Sequence, residues 1–409
     1  MQLDLIPPVA QEIPTLEVLP WPQTDADLGE QLELSRLREL EAPTQIWTSS
    51  ASTRELQYAT HGLYRFFGKF PPPVARYLIT RFCREADVVL DPMCGSGTTG
   101  VEALLLGRSA ELADVNPFSV LLARAKTRYI PQREILDARD QVRQSLRHLE
   151  GHVDTSTPGL KNADHWFLES TIQSLARIRY AVEHVAVKSE LQDLLKVVFA
   201  SVVRRVSRAT TQQGRLFLDA ATAIEDAEPL FFEKLDDAAR TVAALPREPK
   251  PVVHQRSAAE PIEDQYPLII CHPPYYNSYR YSSINTLELA WLRMSPKEIR
   301  QHEVREAFKV GKPEKVHDYL ADMSAVLRNL SRNIKRGGTL ALMIGDTVLR
   351  KVYVPVTRLL LESVPELRAK LVAFRVPKFT EASWVASQRR NGDQVGVTMC
   401  DYIILLEPR

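Results

Sequence analysis

The chain has 409 residues, of which 44% are hydrophobic and 25% charged, so it is long enough for one large globular domain with insertions or for two domains. Its formal net charge of +1 excludes a global basic field, so any nucleic-acid surface must be local. Its four cysteines are scattered without a CxxC pair, which argues against a zinc site and a disulfide scaffold and predicts a reducing cytoplasm.

The first 50 residues predict a peripheral N-terminal arm. Five prolines in its first part exclude a long helix there, and only residues 28–40 suit a short amphipathic helix. We expect either a partly ordered tail or a partner-binding segment. The start has no signal-peptide pattern, and no apolar run is long enough to span a bilayer. We therefore expect a soluble cytoplasmic protein without membrane contact.

Residues 51–131 predict the cofactor-binding part of a catalytic domain. An aromatic and basic cluster at residues 61–73, which contains Lys69 and Phe70, leads into a helix at residues 74–82. Glycine and lysine interrupt the aromatic side chains in a predicted loop. We therefore expect the cluster either to form the wall of a ligand site or to pack in the core.

A glycine-rich turn connects an apolar strand at residues 88–90 to a helix at residues 101–106. Glycines let the backbone turn tightly and approach a ligand, and the free N–H groups at the helix start can receive an electron-rich group. A second strand, at residues 110–113, ends at Asp114. This β-α-β pattern predicts the start of a doubly wound α/β sheet.

Residues 132–250 predict an inserted helical block, because they show helical periodicity and no strand alternation. A basic group, Arg204, Arg205 and Arg208, precedes a predicted loop rich in hydroxyl and amide side chains. Each arginine alone is most simply part of a solvated helix face. The group and its loop together are a candidate phosphate-contacting surface.

The sheet pattern returns in residues 251–409, which we predict to be the catalytic part of the domain. Strands are predicted at residues 252–254, 266–271, 339–344, 371–376 and 402–406. With the first two strands they predict a Rossmann-like α/β fold with a mostly parallel sheet of about seven strands.

The glycine-rich turn indicates the class of cofactor. Residues 95–100 match the pattern GxGxxG, and Asp114 follows the turn at the spacing of a ribose-binding acid. A nicotinamide cofactor and S-adenosylmethionine both fit, because both present a ribose diol. Asp91, just before the turn, would repel a pyrophosphate but suits a cationic sulfonium and amino group, so it favours S-adenosylmethionine.

The second chemical element is the strand at residues 266–271, which ends in His272, Pro273, Pro274 and Tyr275. Two prolines fix the backbone and direct carbonyl groups into a cleft at the strand end. The first side chain and a proline carbonyl can then accept hydrogen bonds from an exocyclic amine, while the tyrosine ring stacks on a planar base extruded from its helix. Such acceptors favour attack of the amine on a methyl group. A buried turn with a packed tyrosine is the structural alternative.

Residues 91–99 (DPMCGSGTT) and 272–275 (HPPY) together resemble the amino-group DNA methyltransferases, which methylate cytosine N4 or adenine N6. The resemblance covers about residues 60–130 and 250–407. It implies S-adenosyl-L-methionine as cofactor, DNA as partner, no metal, and residues 272–275 as the catalytic tetrapeptide. The cofactor-binding residues that it implies are Lys69, Phe70, Asp91, Pro92, Cys94, Gly95, Gly97, Thr98, Asp114, Asn116 and Ser257.

One residue departs from the pattern of this family. The family places Ser, Asp or Asn at the first position of the tetrapeptide, where this chain has His272. A neutral imidazole has one lone-pair nitrogen, so we expect it to accept the hydrogen of the amine. A changed target and an impaired enzyme remain alternatives.

Three segments are candidates for contacting DNA, because their arginine and aromatic side chains suit phosphate and base contacts. The candidate residues are Arg204, Arg205 and Arg208 in the insert, Tyr276 and Tyr279 after the tetrapeptide with a mixed-charge segment at residues 295–316, and Arg389 and Arg390 in a long loop.

The sequence therefore predicts a site-specific DNA methyltransferase that methylates an exocyclic amine, with cytosine N4 favoured over adenine N6. The resemblance implies a role in restriction-modification or phage defence, with a partner subunit of such a system. The alternatives are an RNA guanine-N2 methyltransferase and a catalytically impaired subunit that binds cofactor and DNA.

Overall fold

The computed structural model describes residues 13–20, 42–151, 153–212, 215–221, 224–276, 281–304, 316–349, 352–375 and 401–409. Its strands are β1 Glu17–Pro20, β2 Thr44–Thr48, β3 Val88–Asp91, β4 Ser109–Asp114, β5 Ala209–Gln212, β6 Arg215–Leu218, β7 Val252–Gln255, β8 Tyr266–Cys271, β9 Ile334–Ile344, β10 Thr347–Leu349, β11 Val352–Val354, β12 Leu367–Arg375 and β13 Asp401–Pro408.

Its α-helices are α1 Pro72–Phe82, α2 Thr98–Leu105, α3 Pro117–Lys126, α4 Gln132–His148, α5 Ala163–Trp166, α6 Glu169–His184, α7 Ser189–Val203, α8 Ala227–Ala243, α9 Tyr281–Ile284, α10 Thr286–Trp291, α11 Pro296–His302, α12 Val316–Arg332 and α13 Val356–Glu362. None of the helices in the described ranges is both long enough and apolar enough to cross a membrane.

The main sheet has nine strands in the order β1-β2-β12-β13-β9-β8-β3-β4-β7. Strands β9, β8, β3, β4 and β7 run parallel, and β13 is antiparallel to both of its neighbours. The seven predicted strands are present, and the prediction of a Rossmann-like, mostly parallel sheet is confirmed.

The strands alternate between two helical layers, as expected for a sheet covered on both faces. Val89 packs in the hydrophobic cluster that contains α1, and its neighbour Leu90 packs in the cluster that contains α12. In β8, Ile270 belongs to the first cluster and Ile269 to the second. This alternation fixes the register, so the polar residues that follow β3, β4 and β8 lie at one edge of the sheet.

The N-terminal arm contributes more to the fold than the sequence predicted. Strand β2 pairs parallel to β12, with Thr44 opposite Val372, and β1 pairs antiparallel to β2. The arm therefore extends the sheet from seven to nine strands. Trp47 on β2 is fully buried and packs edge-on against Tyr77 of α1, at 4.9 Å between ring centroids. The predicted helix at residues 28–40 lies outside the described residues.

The helical insert lies between β4 and β7, as predicted, and shares one hydrophobic cluster with α3 and α10. Inside it, β5 and β6 form an antiparallel hairpin where the sequence predicted a loop without strands. Two strands of four residues each are too short to display the alternation that identifies longer strands.

Candidate active site

A cavity of about 390 Å³ lies at the carboxyl ends of the parallel strands, a size typical of small-molecule sites. Asp91 ends β3, Asp114 ends β4, and His272 follows β8, and all three line this cavity. In doubly wound sheets ligands bind in the crevice outside the strand ends. The sheet topology thus unites two sequence elements that are about 180 residues apart.

The glycine-rich turn is held by Asp114 as well as by its own backbone. The carboxylate of Asp114 accepts hydrogen bonds from the backbone N–H of Gly95 at 2.9 Å and from that of Asn116 at 2.9 Å. Gly95 has φ of +49°, and a Cβ there would lie 3.2 Å from the ring of Phe66. A carboxylate can accept about four hydrogen bonds, so these two backbone contacts do not exhaust the acceptor positions of Asp114.

Asp91 is fully enclosed beside the turn, with 4% of its surface exposed. Its carboxylate accepts hydrogen bonds from the Thr99 hydroxyl at 2.5 Å and from the Met93 backbone N–H at 3.2 Å. Burial raises the pKa of Asp91 to about 7, and the charge of Asp114 adds to the rise. The negative charge is therefore disfavoured without a ligand, and a bound cation would stabilise it.

Replacing Asp91 by asparagine is expected to stabilise the ligand-free protein at pH 8. The folded pKa of about 7 exceeds the ordinary value of 3.8, so the stability contribution of the protonated acid is lost as the pH rises through 7. The introduced amide keeps acceptor and donor positions for Met93 and Thr99. We expect the free energy of unfolding to rise on the order of 2–4 kcal/mol at pH 8 and little near pH 4, measured by urea denaturation. Equal free energies of unfolding of the wild type and the Asp91→Asn variant at pH 8 would contradict the conclusion that burial disfavours the charge of Asp91.

Asn116 supplies an unused donor to the same cavity. Its side-chain oxygen caps α3 by accepting from the Phe118 backbone N–H at 3.0 Å, and the residue is 3% exposed. Its amide nitrogen, Nδ2, has no hydrogen-bond partner among the described residues. Buried donors of this kind are rarely left unsatisfied, so an acceptor group of a ligand in the adjoining cavity would complete the hydrogen bonding of Asn116. These groups fit a ribose diol and its adenosine.

Lys69 and Phe70 form the opposite side of the cavity. The ammonium group of Lys69 donates to the Leu56 carbonyl and to the Gln57 side-chain oxygen, each at 3.3 Å. Burial lowers the pKa of Lys69 to about 8. An anion such as a cofactor carboxylate beside it would raise this pKa again and stabilise the ammonium charge.

The tetrapeptide at residues 272–275 places a ring in the wall of this cavity. The ring of His272 packs edge-on between Phe70 and Tyr275, at 5.4 Å between centroids in both pairs. Pro274 also lines the cavity, and its carbonyl accepts a hydrogen bond from Tyr319 at 2.9 Å. Pro273 is buried and, like Tyr275, is not among the residues that line this cavity.

Most of the other predicted cofactor residues lie where the sequence placed them. Pro92, Cys94 and Ser257 line the cavity. Gly97 and Thr98 are not among the lining residues of the cavity, so their assignment to cofactor binding stays a prediction. A Cβ at Gly97 would lie 2.8 Å from the Ala123 backbone, so this glycine allows close packing of the turn on α3.

Two predicted DNA-contacting residues are engaged inside the protein instead. Arg204 forms an ion pair at 2.9 Å with Glu288, whose side chain is 1% exposed. Tyr276 is 1% exposed and packs on Tyr319. Both assignments to a DNA surface are therefore wrong, because long-range packing uses these side chains.

The remaining DNA candidates differ in accessibility. Arg205 is exposed, in a bidentate pair with Glu225 at 2.6 and 2.8 Å. The guanidinium of Arg208 donates to the backbone carbonyls of Asp164 and His165. Tyr279, Arg389 and Arg390 lie outside the described residues.

Phe66 belongs to the aromatic cluster at residues 61–73 and lines the cavity, where it stacks on Tyr281 at 5.3 Å between ring centroids. The sequence did not identify two acidic residues of the cavity wall. These are Glu303 and Asp322. No local spacing marks these residues, because they reach the cavity only through the tertiary fold.

A family model described as a DNA methylase, for N6 and N4 methyltransferases, matches residues 21–124. The chain is similar to the Type II methyltransferase M.MvaI of Kocuria varians, with 25% identity over 59% of this chain and 59% of that protein. It is also similar to the Type II methyltransferase M.BsoBI of Geobacillus stearothermophilus, with 23% identity over 60% of this chain and 55% of that protein. The matches thus span between half and two thirds of each relative.

Among solved structures, the chain is similar to TrmN from Thermus thermophilus, at 12% identity and a TM-score of 0.32. That match covers 83% of this chain and 49% of the other.

Proposed function

Because this chain is related to the amino-group DNA methyltransferases, we propose that it transfers a methyl group from S-adenosylmethionine to an exocyclic amine of a DNA base. The observation that carries the proposal is the shared cavity of Asp91, Asp114 and His272 at adjacent strand ends. Cytosine N4 is favoured over adenine N6, because residues 287–292 resemble the helix that follows the tetrapeptide in cytosine-N4 members.

The residues divide between cofactor and base. Asp114 and Asn116 suit the ribose, whereas the Asp91 carboxylate and the Lys69 ammonium suit the charged amino-acid end. The cofactor supplies an electrophilic methyl group on a sulfonium. Across from it, His272 accepts a hydrogen bond from the amine and Tyr275 stacks on the extruded base. The Pro273 carbonyl is the second proposed acceptor, and together the two acceptors localise the lone pair of the amine, which is otherwise delocalised into the base.

DNA is the proposed partner, with Arg205 the accessible arginine of the predicted insert surface. A role in restriction-modification or phage defence, with a partner subunit of such a system, is proposed from the relatives named Type II methyltransferases. The cytoplasmic location remains a prediction from the scattered cysteines.

The decisive experiment incubates the purified chain with tritiated methyl S-adenosylmethionine and either bacterial genomic DNA or total RNA. We expect label in DNA and, after digestion to nucleosides, N4-methylcytosine. Label at guanine N2 of RNA would establish the RNA alternative. Label in neither substrate, with cofactor still bound, would identify a subunit without turnover and overturn the proposal.

A further inference from the structure

The segment from Pro296 to Val304 carries a charged residue into the cofactor cavity. Helix α11 ends at His302, and Gln301, His302, Glu303 and Val304 all line the cavity wall. The sequence assigned this segment only to a mixed-charge region near the target. Its position against the same cavity as Asp114 gives Glu303 access to a bound cofactor.

Glu303 has a defined orientation in the described structure. Its Oε1 accepts a hydrogen bond from the Ser282 backbone N–H at 3.2 Å, and its Oε2 accepts one from the Ser282 hydroxyl at 3.0 Å. Ser282 belongs to α9, and its neighbour Tyr281 stacks on Phe66 at the cavity mouth. A carboxylate has about four acceptor positions, and the two contacts with Ser282 use two of them. These contacts fix the orientation of the side chain in the cavity wall.

Asp114 and Glu303 act on the same space with like charge. Burial raises the pKa of Asp114 to about 6, and the charge of Glu303 contributes to the rise. A pair of hydroxyl donors between two carboxylates satisfies both and relieves their repulsion. The unpaired Asn116 amide lies in the wall of the same cavity, so the site also offers a donor to a ligand oxygen.

We propose that Glu303 is a second ribose-binding acid, which contacts the cofactor diol together with Asp114 from the wall of the same cavity. The proposal rests on the proposed use of S-adenosylmethionine. Through Ser282, the same contact positions α9 and Tyr281, which follow the catalytic tetrapeptide. Binding of the cofactor to Glu303 would therefore also position Tyr281, which lies in the cavity wall after the tetrapeptide.

The test measures the dissociation constant of S-adenosylhomocysteine by calorimetry, with no methyl transfer involved. E303Q is expected to weaken binding about 10- to 100-fold, because a charge-assisted hydrogen bond is lost. The glutamine keeps an acceptor and a donor for Ser282, so the segment stays attached. E298Q, an exposed change on the same helix, is the matched control and should bind as the wild type does.

A deoxyribose probe separates contact from indirect effects. We expect the wild type to lose affinity for S-adenosylhomocysteine that lacks one ribose hydroxyl, and E303Q to lose nothing further for the hydroxyl that Glu303 contacts. Equal affinity of E303Q and wild type for the full ligand would overturn the role of Glu303 and leave the proposed function standing. The role of Glu303 would also be overturned if E303Q lost as much affinity as the wild type does for both ligands that lack a ribose hydroxyl. If the wild type does not bind S-adenosylhomocysteine, the proposed cofactor fails as well.

Discussion

The change from His272 to alanine is expected to lower the rate of methyl transfer about 100- to 10,000-fold. The imidazole is held edge-on between Phe70 and Tyr275 and lines the cofactor cavity. Its removal takes away the acceptor for the amine hydrogen and leaves space into which the base can shift. Because neither effect concerns the ribose contacts, binding of S-adenosylhomocysteine should change little. Single-turnover experiments measure the rate of methyl transfer to DNA, and calorimetry measures the affinity for S-adenosylhomocysteine.

Two further variants make the role of the imidazole specific. H272N introduces a residue that the resembling family uses at this position, and it should retain more activity than H272A because an amide oxygen can accept from the amine. H148A, on the exposed end of α4, should leave the rate unchanged. Unchanged turnover in H272A would remove His272 from the mechanism. Activity that appears only in H272N would show that histidine impairs the natural chain.

Arg204 is the second position where we expect a large effect, on stability. Its guanidinium donates to both carboxylate oxygens of Glu288, at 3.1 and 2.9 Å, and to the backbone carbonyl of Ile284. Removal of the arginine leaves an enclosed carboxylate without its counter-charge. We expect R204A to reduce the free energy of unfolding by about 3–5 kcal/mol, measured by urea denaturation.

Arg205, the next residue, provides the matched control. It pairs with Glu225 where both side chains are nearly half exposed, so R205A should cost less than about 1 kcal/mol. The double variant R204A/E288A should be less destabilised than the sum of its two single variants, because they remove one shared interaction. Additive losses, or equal losses in R204A and R205A, would contradict the buried pair.

The sequence allowed those parts of the site to be predicted that depend on local patterns. Asp91, Asp114 and His272 each follow an apolar strand, and the edges of parallel strands bring such residues together. Glu303 and Tyr276 could not be assigned correctly. The side-chain orientation of Glu303 depends on Ser282, and that of Tyr276 depends on Tyr319. No sequence periodicity encodes such contacts.

The fold was likewise predictable only where local sequence patterns identify the strands. Strands such as β3, β8 and β13 have largely buried, apolar sequences that identify them without tertiary information. The arm strand β2 is different, because Trp47 is buried only when α1 and β12 lie beside it. The ion pair of Arg204 could not be predicted either. An arginine-rich helix end has the same composition whether it faces solvent or a buried acid.

The pairing of β2 with β12 also affects the order in which the chain can fold. Thr44 lies opposite Val372, so the partner strand leaves the ribosome long after the arm has been made. At ordinary rates of synthesis the interval is on the order of half a minute. During that time the indole of Trp47 has no completed sheet edge on which to pack. Strand β2 can pair with β1 early, but its other edge stays open until residues 367–375 have been made, although β2 is among the first strands to be synthesised.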